Sequence, residues 1–164
     1  MSVIIHWVEL QKSKENSTKI STAAGILIIY QVDNVITGTE WNLAPSEPLP
    51  FVVNEQCKQI QNYLNNPVTS PLMINLEKQG TSFRNKVWAE ICKIPPGQVL
   101  SYSELARKVG SGARAVANAC RDNPFPGIIP CHRVVAVAGL GGYAGKTSGK
   151  LLEIKKKLLL LEAA

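Results

Sequence analysis

Residues 101–122 read SYSELARKVGSGARAVANACRD, and this run sets the architecture of the second half of the chain. Either Ser101 or Ser103 can cap a helix over residues 104–109, which Gly110 can then end. A second helix follows after one tight turn. Two helices joined by a short turn that contains glycine predict a helix-turn-helix.

The second predicted helix, over residues 112–122, carries alanine on nearly every face and only two arginines. Small side chains such as Ala113 and Ala117 let a helix backbone come close to a neighbouring surface. One interpretation is a tightly packed core helix. The other is a helix that lies against a DNA groove and inserts one long residue, Arg114, into the duplex. Base readout normally uses polar or basic side chains aimed at base edges, so this helix is poorly equipped to read sequence.

The first part of the chain has a β-rich pattern. Apolar, β-branched runs predict strands over residues 3–10, 25–32 and 35–37. Three prolines predict a loop over residues 41–50, and near-helical apolar spacing predicts a helix over residues 51–65. Residues 67–79 are predicted to be a connector.

The residues after this connector are mostly helical in pattern. Thr81 or Ser82 can cap a helix that runs to about Lys93. We therefore expect an α/β (α+β) fold. A small β-sheet-plus-helix domain would occupy residues 1–80, and a mostly helical domain with the helix-turn-helix and a short strand would occupy residues 81–164.

The amino-acid composition limits the classes of protein to which the chain can belong. The 164 residues are 45% hydrophobic and 18% charged, which is typical of a globular chain. A net charge of +6 favours polyanion partners. The longest apolar run, residues 23–30, is too short to span a bilayer, and the N-terminus carries no secretion signal. We expect no membrane partner and an intracellular location, cytoplasmic or, in a eukaryotic source, nuclear.

The four cysteines form no CxxC pair and match no zinc spacing, and the chain has only two histidines, His6 and His132. We therefore predict no metal and no cofactor. Free cysteine is most often a small buried hydrophobe, and this is the expectation for Cys57, Cys92 and Cys120 on apolar helix faces.

Residues 128–135 read IIPCHRVV and differ from the surroundings of the other cysteines. Two short apolar runs predict a strand or strand edge, and Pro130 places Cys131 at a turn. The adjacent cationic groups are expected to lower the pKa of the Cys131 thiol. The pattern favours a reactive cysteine, which His132 can reach directly or through a water.

This segment, Pro130-Cys131-His132-Arg133-Val134, resembles the active-site signature of the O6-alkylguanine-DNA alkyltransferases. The resemblance covers residues 81–162, whereas the first eighty residues are only generically similar to the family's N-terminal domain. The further motifs all fall in the family's order: Ile94-Pro95-Pro96-Gly97-Gln98-Val99, Ser101-Tyr102, Glu104-Leu105-Ala106, Ala113-Arg114-Ala115-Val116, Asn123-Pro124 and Gly141-Gly142-Tyr143.

The resemblance implies repair of alkylated guanine in double-stranded DNA by direct, irreversible transfer to one cysteine. Cys131 would be the alkyl acceptor, and His132 would remove its proton through a bound water. A glutamate near the C-terminus would orient the histidine. Glu162 is the candidate and Glu153 the rival. The protein would act once, as a monomer.

The resemblance also implies that the target nucleotide is flipped out of the duplex. Arg114 would take its place in the stack, and Tyr102 would crowd the target phosphate and bond the flipped base. Asn123 would be the hinge between the recognition helix and the cysteine strand. Tyr143 would line the base pocket.

Backbone groups would read the guanine, namely the carbonyls of Cys131 and Val134 and an amide near Ala144. Ala113 and Ala117 would lie against the DNA with Arg114.

The chain departs from the family pattern in three places. The spacing from Cys131 to Tyr143 is about one residue shorter than usual, and residues 146–150 form an insertion. Ala144 stands where many members have serine. The run of three lysines at 155–157 is interpreted as a solvated helix face rather than a DNA site, although the resemblance also allows Lys155 a part in positioning the active-site strand.

Three other functions are compatible with parts of the pattern. A lesion-binding protein on the same scaffold would lack the acceptor cysteine. A helix-turn-helix regulator would leave Cys131 and His132 idle. A cysteine hydrolase would turn over without a lasting adduct.

Overall fold

The structure is a computed structural model, and it describes residues 3–10, 15–43, 54–68 and 72–163. The strands in these ranges are β1 (Val3–Val8), β2 (Asn16–Thr22), β3 (Gly25–Val32), β4 (Val35–Trp41), β5 (Leu72–Glu77), β6 (Leu100–Ser101) and β7 (Val134–Val135). The helices are α1 (Glu55–Asn65), α2 (Ser82–Cys92), α3 (Tyr102–Val109), α4 (Ala113–Arg121) and α5 (Lys150–Ala163), and a 3₁₀ turn covers Cys131–Arg133.

Five strands form one mixed sheet in the order β1-β5-β4-β3-β2. Strands β2, β3 and β4 are antiparallel neighbours, whereas β5 lies parallel to both β4 and β1. Helix α1 connects β4 to β5 and packs against β2 and β5. The buried apolar residues of the sheet and of the helices belong to one core cluster.

The mixed α/β class is confirmed, and so are the strands predicted within β1, β3 and β4. Two strands were not predicted. Strand β2 is mostly polar, so its hydrophobic signal is weak, and the predicted connector over residues 67–79 is wrong because β5 occupies its centre. Leu72, Ile74 and Leu76 alternate into the core there, which is the period of two that marks a strand. The division at residue 80 stays a prediction.

The first helix begins later than its apolar pattern predicts. Asn54 caps α1 by accepting a hydrogen bond from the Cys57 amide, so the helix starts at Glu55. Residues 51–53 lie outside the described residues, as does most of the loop predicted over residues 41–50.

The helix-turn-helix is confirmed as α3 and α4. Ser101, rather than Ser103, caps α3 in a capping box with Glu104, which starts the helix at Tyr102. Gly110 ends α3 in the left-handed conformation, with a φ of 70°. The predicted helix after Thr81 is also present as α2. Its Trp88 indole donates a hydrogen bond to the carbonyl of Ala119 in α4 at 2.9 Å, which fixes the two helices together.

Cys131 lies at a turn, as predicted, and of the two apolar runs that flank it only the second forms a strand. Cys131, His132 and Arg133 form a single 3₁₀ turn, and only Val134 and Val135 pair with β6. The turn buries three consecutive side chains, and two of them, His132 and Arg133, reach the same carboxylate, that of Glu162. A strand would have placed them on two opposite faces.

Within the described ranges, no helix combines the length and the apolar content that a membrane span needs.

Gly80 joins the sheet to α2 in a conformation that excludes a side chain. Its φ is +82°, and a Cβ there would lie 2.7 Å from the Trp88 ring. We expect Gly80→Ala to lower the free energy of unfolding by about 2 kcal/mol, through backbone strain and the displaced ring. Urea denaturation measures this. Gly139→Ala, where no atom lies within 4 Å of the added Cβ, is the matched control. Equal stabilities for the two variants would contradict this account of the junction.

Candidate active site

Asn123 holds Cys131 in place. Its side-chain amide donates hydrogen bonds to the Cys131 Sγ and to the Ile129 carbonyl, each at 3.1 Å. Its Oδ1 accepts from the Phe125 amide at 2.9 Å. Asn123 therefore ties together both ends of the loop that joins α4 to the 3₁₀ turn. This contact fits the hinge role that the resemblance implies, although that role stays a prediction.

The Cys131 thiol is buried, and burial raises its pKa. The hydrogen bond from Asn123 and the nearby positive charge of Lys155 offset this only in part. The expectation that neighbouring cations lower the thiol pKa is therefore wrong. The reason is that full burial penalises a thiolate more than these groups stabilise it. Cys131 rests as a thiol, and its reaction requires a base.

His132 is suited to be that base. It is buried, and burial lowers its pKa, so the imidazole is neutral at pH 7. Its Nε2 lies 2.7 Å from Glu162 Oε1. Because the ionised carboxylate can only accept, Nε2 carries the hydrogen and Nδ1 keeps its lone pair. Nδ1 is buried and has no hydrogen-bond partner among the described residues, so it is free to take a proton.

The structure places Glu162, and not Glu153, against the histidine. Burial disfavours the Glu162 carboxylate, but the hydrogen bonds from His132 and Arg133 outweigh it and lower the Glu162 pKa to about 2. Glu153 lies on the exposed side of α5. Glu162 is therefore ionised and buried beside His132.

Arg133 completes this network, although no separate role was predicted for it. Its guanidinium, 1% exposed, donates to both carboxylate oxygens of Glu162 at 2.7–3.1 Å. It also donates to the Ile94 carbonyl and to the Tyr63 hydroxyl, each at 2.8 Å. Its positive charge lowers the pKa of the adjacent His132 and so offsets part of the increase that Glu162 causes. Arg133 therefore helps to keep the imidazole neutral.

Lys155 is not part of a solvated face, so that prediction is wrong for this residue. Its ammonium is buried and donates to the carbonyls of Val134, Leu140 and Gly142 at 2.7–2.8 Å. Burial lowers its pKa to about 8. These three carbonyl oxygens surround the ammonium group, an arrangement that the sequence pattern does not reveal. The next two lysines, Lys156 and Lys157, are exposed as expected.

A cavity of about 250 Å³ opens beside the cysteine. Five residues that the sequence assigned to the site line it: Tyr102, Ala117, Cys131, Tyr143 and Ala144. Six further residues complete the lining and were not predicted: Asn118, Cys120, Arg121, Gly142, Gly145 and Thr147. The expectation that Cys120 is a plain core residue is thus incomplete, because it is buried yet faces the same cavity.

Three predicted DNA or substrate residues lie outside this lining. Ala113 and Arg114 are exposed on the first turn of α4. Val134 is fully buried in β7, and its carbonyl accepts from Lys155. Contacts of these residues with DNA or guanine stay predictions.

Two tyrosines and a tight turn form the far wall of the cavity. Burial raises the pKa of Tyr102 to about 12, and that of Tyr143 well above its ordinary value, so both hydroxyls keep their protons at neutral pH. Tyr143 and Lys146 exchange backbone hydrogen bonds at 2.8 and 3.0 Å across Ala144 and Gly145. Ala144 and Gly145 both have positive φ, 50° and 83°, as the two central residues of a type I′ hairpin turn require.

Two residues of the first half reach the site and escaped sequence analysis. Trp41 donates to the Tyr143 hydroxyl at 2.8 Å, and Tyr63 accepts from Arg133. These partners lie 102 and 70 residues away in the chain, so no local pattern could have revealed them. Among the described residues no group of three potential ligands could hold a metal ion.

The family model described as "6-O-methylguanine DNA methyltransferase, DNA binding domain" matches residues 82–164. A methylated-DNA–protein-cysteine methyltransferase of Metallosphaera sedula is 40% identical over 107 residues, which cover 65% of each chain. The alignment therefore spans less than two thirds of that relative's length. One from Archaeoglobus fulgidus is 38% identical, over 66% of this chain and 74% of the relative.

A solved structure is similar over nearly the whole chain. It is that of Mycobacterium tuberculosis OGT in complex with DNA, which is 29% identical. The TM-score is 0.73, and the superposition covers 90% of this chain and 92% of the other.

Acid should destabilise the protein through Glu162. Its pKa is lowered from 4.5 to about 2, so the unfolded chain takes up this proton at a higher pH than the folded protein. The stabilisation is complete above about pH 4.5 and is lost as the pH falls towards 2. Over this window we expect the wild-type free energy of unfolding to fall by on the order of 3 kcal/mol more than that of Glu162→Gln.

Urea denaturation at a series of pH values measures this difference. Glu153→Gln, the same change on the exposed side of α5, is the matched control. Parallel curves for the wild type and Glu162→Gln would contradict the assigned state of the carboxylate.

Proposed function

We infer the function from the fact that this chain belongs to the 6-O-methylguanine DNA methyltransferase family. We propose that it repairs O6-alkylated guanine in DNA by moving the alkyl group to Cys131. The observation that carries the proposal is the buried Cys131 thiol at the cavity wall, followed in the same 3₁₀ turn by a neutral His132 that Glu162 holds. This arrangement supplies an acceptor, a base and a fixed orientation for the base.

The first step is removal of the thiol proton. A water between Cys131 Sγ and His132 Nδ1 passes the proton to the imidazole, and the ionised Glu162 stabilises the imidazolium that forms. Because the thiol pKa is raised, little thiolate exists until this transfer occurs. The thiolate is thus formed where the substrate is bound.

The second step is displacement at the alkyl carbon. The sulfur attacks in line, the S–C bond forms as the O6–C bond breaks, and the electron pair of that bond stays on the guanine oxygen. Tyr102, whose hydroxyl keeps its proton, donates a hydrogen bond to the flipped base and disperses this charge. The product is a thioether, which water does not hydrolyse, so each molecule reacts once.

A base inside the duplex cannot reach a buried thiol, so the nucleotide must be flipped out of the stack. Helix α4 fits this task, because Ala113, Arg114 and Asn118 are exposed on it and Ala117 lines the cavity. The small alanines allow close approach to a groove, and Arg114 fills the space that the base leaves. The net charge of +6 supports binding to phosphates without sequence preference.

The same proposal includes the setting in which the protein works. All four cysteines are free, which fits a reducing compartment, the cytoplasm or a eukaryotic nucleus. One thiol and one flipped base complete the chemistry, so a monomer suffices.

Incubation with a duplex that contains one O6-methylguanine should add one methyl group to the protein, saturating at one per chain. Intact-protein mass and tryptic mapping measure this. Cleavage after Arg121 and Arg133 separates Cys120, on residues 115–121, from Cys131, on residues 122–133. We expect the methyl group on the second peptide. Cys131→Ala should take up none while it still binds the duplex.

A bound lesion without an adduct would favour a lesion-binding protein, and turnover of esters or amides would favour a hydrolase. Repair by Cys131→Ala would show that the acceptor is a different residue.

Arg114→Ala should slow repair in duplex DNA by at least about tenfold, because unstacking costs a few kcal/mol that the arginine would offset. Reaction with free O6-benzylguanine, which needs no flipping, should stay near the wild-type rate. Single-turnover rates with the two substrates measure the effect. Equal losses on both would remove Arg114 from the flipping step.

A further inference from the structure

Strand β4 supports two segments that form the active-site cavity. Thr39 and Trp41 are two residues apart on this strand, so their side chains point to the same face. The Thr39 amide donates to the Pro124 carbonyl at 3.0 Å, and its hydroxyl donates to the Pro126 carbonyl at 2.7 Å. The Trp41 indole N–H donates to the Tyr143 hydroxyl at 2.8 Å.

These contacts fall on segments that form the site. Pro124 and Pro126 belong to the loop between Asn123 and Cys131, whose geometry fixes the thiol. Tyr143 lines the cavity that the thiol faces. Strand β4 therefore fixes the position of the acceptor sulfur and of the opposite wall through separate hydrogen bonds.

The Trp41 contact is buried and closely packed. Trp41 is 3% exposed and Tyr143 2%. The Trp41 ring also lies against Gly127, where an added Cβ would be 3.3 Å from Cζ2 and the φ of +88° excludes most side chains. The indole thus has little freedom to follow Tyr143 if the tyrosine ring moves.

We propose that Trp41 is a positioning residue that sets which alkyl groups the cavity accepts, an inference that rests on the proposed function. By holding the Tyr143 hydroxyl, it fixes the ring that bounds the cavity of about 250 Å³. A methyl group fits without movement of that ring. A bulky benzyl group gains room only when the ring can turn or withdraw, which the bond from Trp41 opposes.

Trp41→Phe tests this inference, because it removes the N–H donor and keeps an aromatic ring in the core. Single-turnover rates are measured with duplexes that carry O6-methylguanine or O6-benzylguanine. We expect the ratio of the benzyl rate to the methyl rate to rise roughly three- to tenfold, the factor that the net contribution of one hydrogen bond supports. A merely structural role would lower both rates together and leave this ratio unchanged.

Tyr143→Phe removes the same hydrogen bond from the other side, together with the backbone hydrogen bond that the hydroxyl makes with Gly127, and keeps Trp41 in place. It should raise the ratio by a similar factor, and the double variant should raise it no further. Tyr30→Phe is the matched control, because it removes an exposed hydrogen bond to Glu40 on the same sheet. We expect it to leave the ratio at the wild-type value.

The outcomes separate the two hypotheses. A wild type that takes up no methyl group would refute the proposed function, and this inference with it. A wild type that reacts, with an unchanged ratio in Trp41→Phe and Tyr143→Phe, would refute this inference alone. If Trp41→Phe fails to fold, Tyr143→Phe decides the result, since it leaves the indole packed against Gly127.

Discussion

The buried carboxylate of Glu162 is the group on which the rest of the site depends. It accepts hydrogen bonds from His132 and Arg133 in the 3₁₀ turn, and Arg133 in turn bonds to Ile94 after α2 and to Tyr63 in α1. One ion network therefore joins the C-terminal helix, the active-site turn and the N-terminal half. Removing one partner of such a buried pair typically costs about 3–5 kcal/mol, because an uncompensated charge is left behind.

The network has a chemical consequence as well as a structural one. A carboxylate bound to His132 alone would favour the imidazolium, but burial and Arg133 work against that charge. The imidazole rests neutral, and the thiol rests protonated. This state protects the thiol, since thiolate is the form that oxidants and stray electrophiles attack. Cys131 thus stays a thiol until a base removes its proton.

The features that could be predicted from the sequence are those that residues close together in the chain determine. The helix-turn-helix follows from Ser101, Gly110 and the spacing between them, and the adjacency of Cys131 and His132 marks the chemistry. The assignment of Glu162 rests on the family resemblance, and the structure shows that its partners are His132 and Arg133. Strand β5 was missed although Leu72, Ile74 and Leu76 carry its period, because the flanking Pro, Ser and Asn residues suggested a loop.

Other features could not be read from the sequence because they depend on distant partners. Lys155 is adjacent to two exposed lysines; the family resemblance allows it a separate role, but only the folded loop shows the three carbonyls that it binds. Trp41 and Tyr63 resemble ordinary core aromatics until their hydrogen bonds to the site are known. The raised pKa of the thiol follows from its depth in the fold, which sequence neighbours do not reveal.

The protonation state of His132 tests the account most directly. Nitrogen-15 NMR of the labelled imidazole at pH 7, assigned with a His132→Gln variant, distinguishes the possible forms. We expect a neutral ring with the hydrogen on Nε2 and an unprotonated Nδ1, and protonation that begins only below the ordinary histidine pKa. An imidazolium at pH 7, or a neutral ring with its hydrogen on Nδ1, would contradict the assignment of His132 as the base.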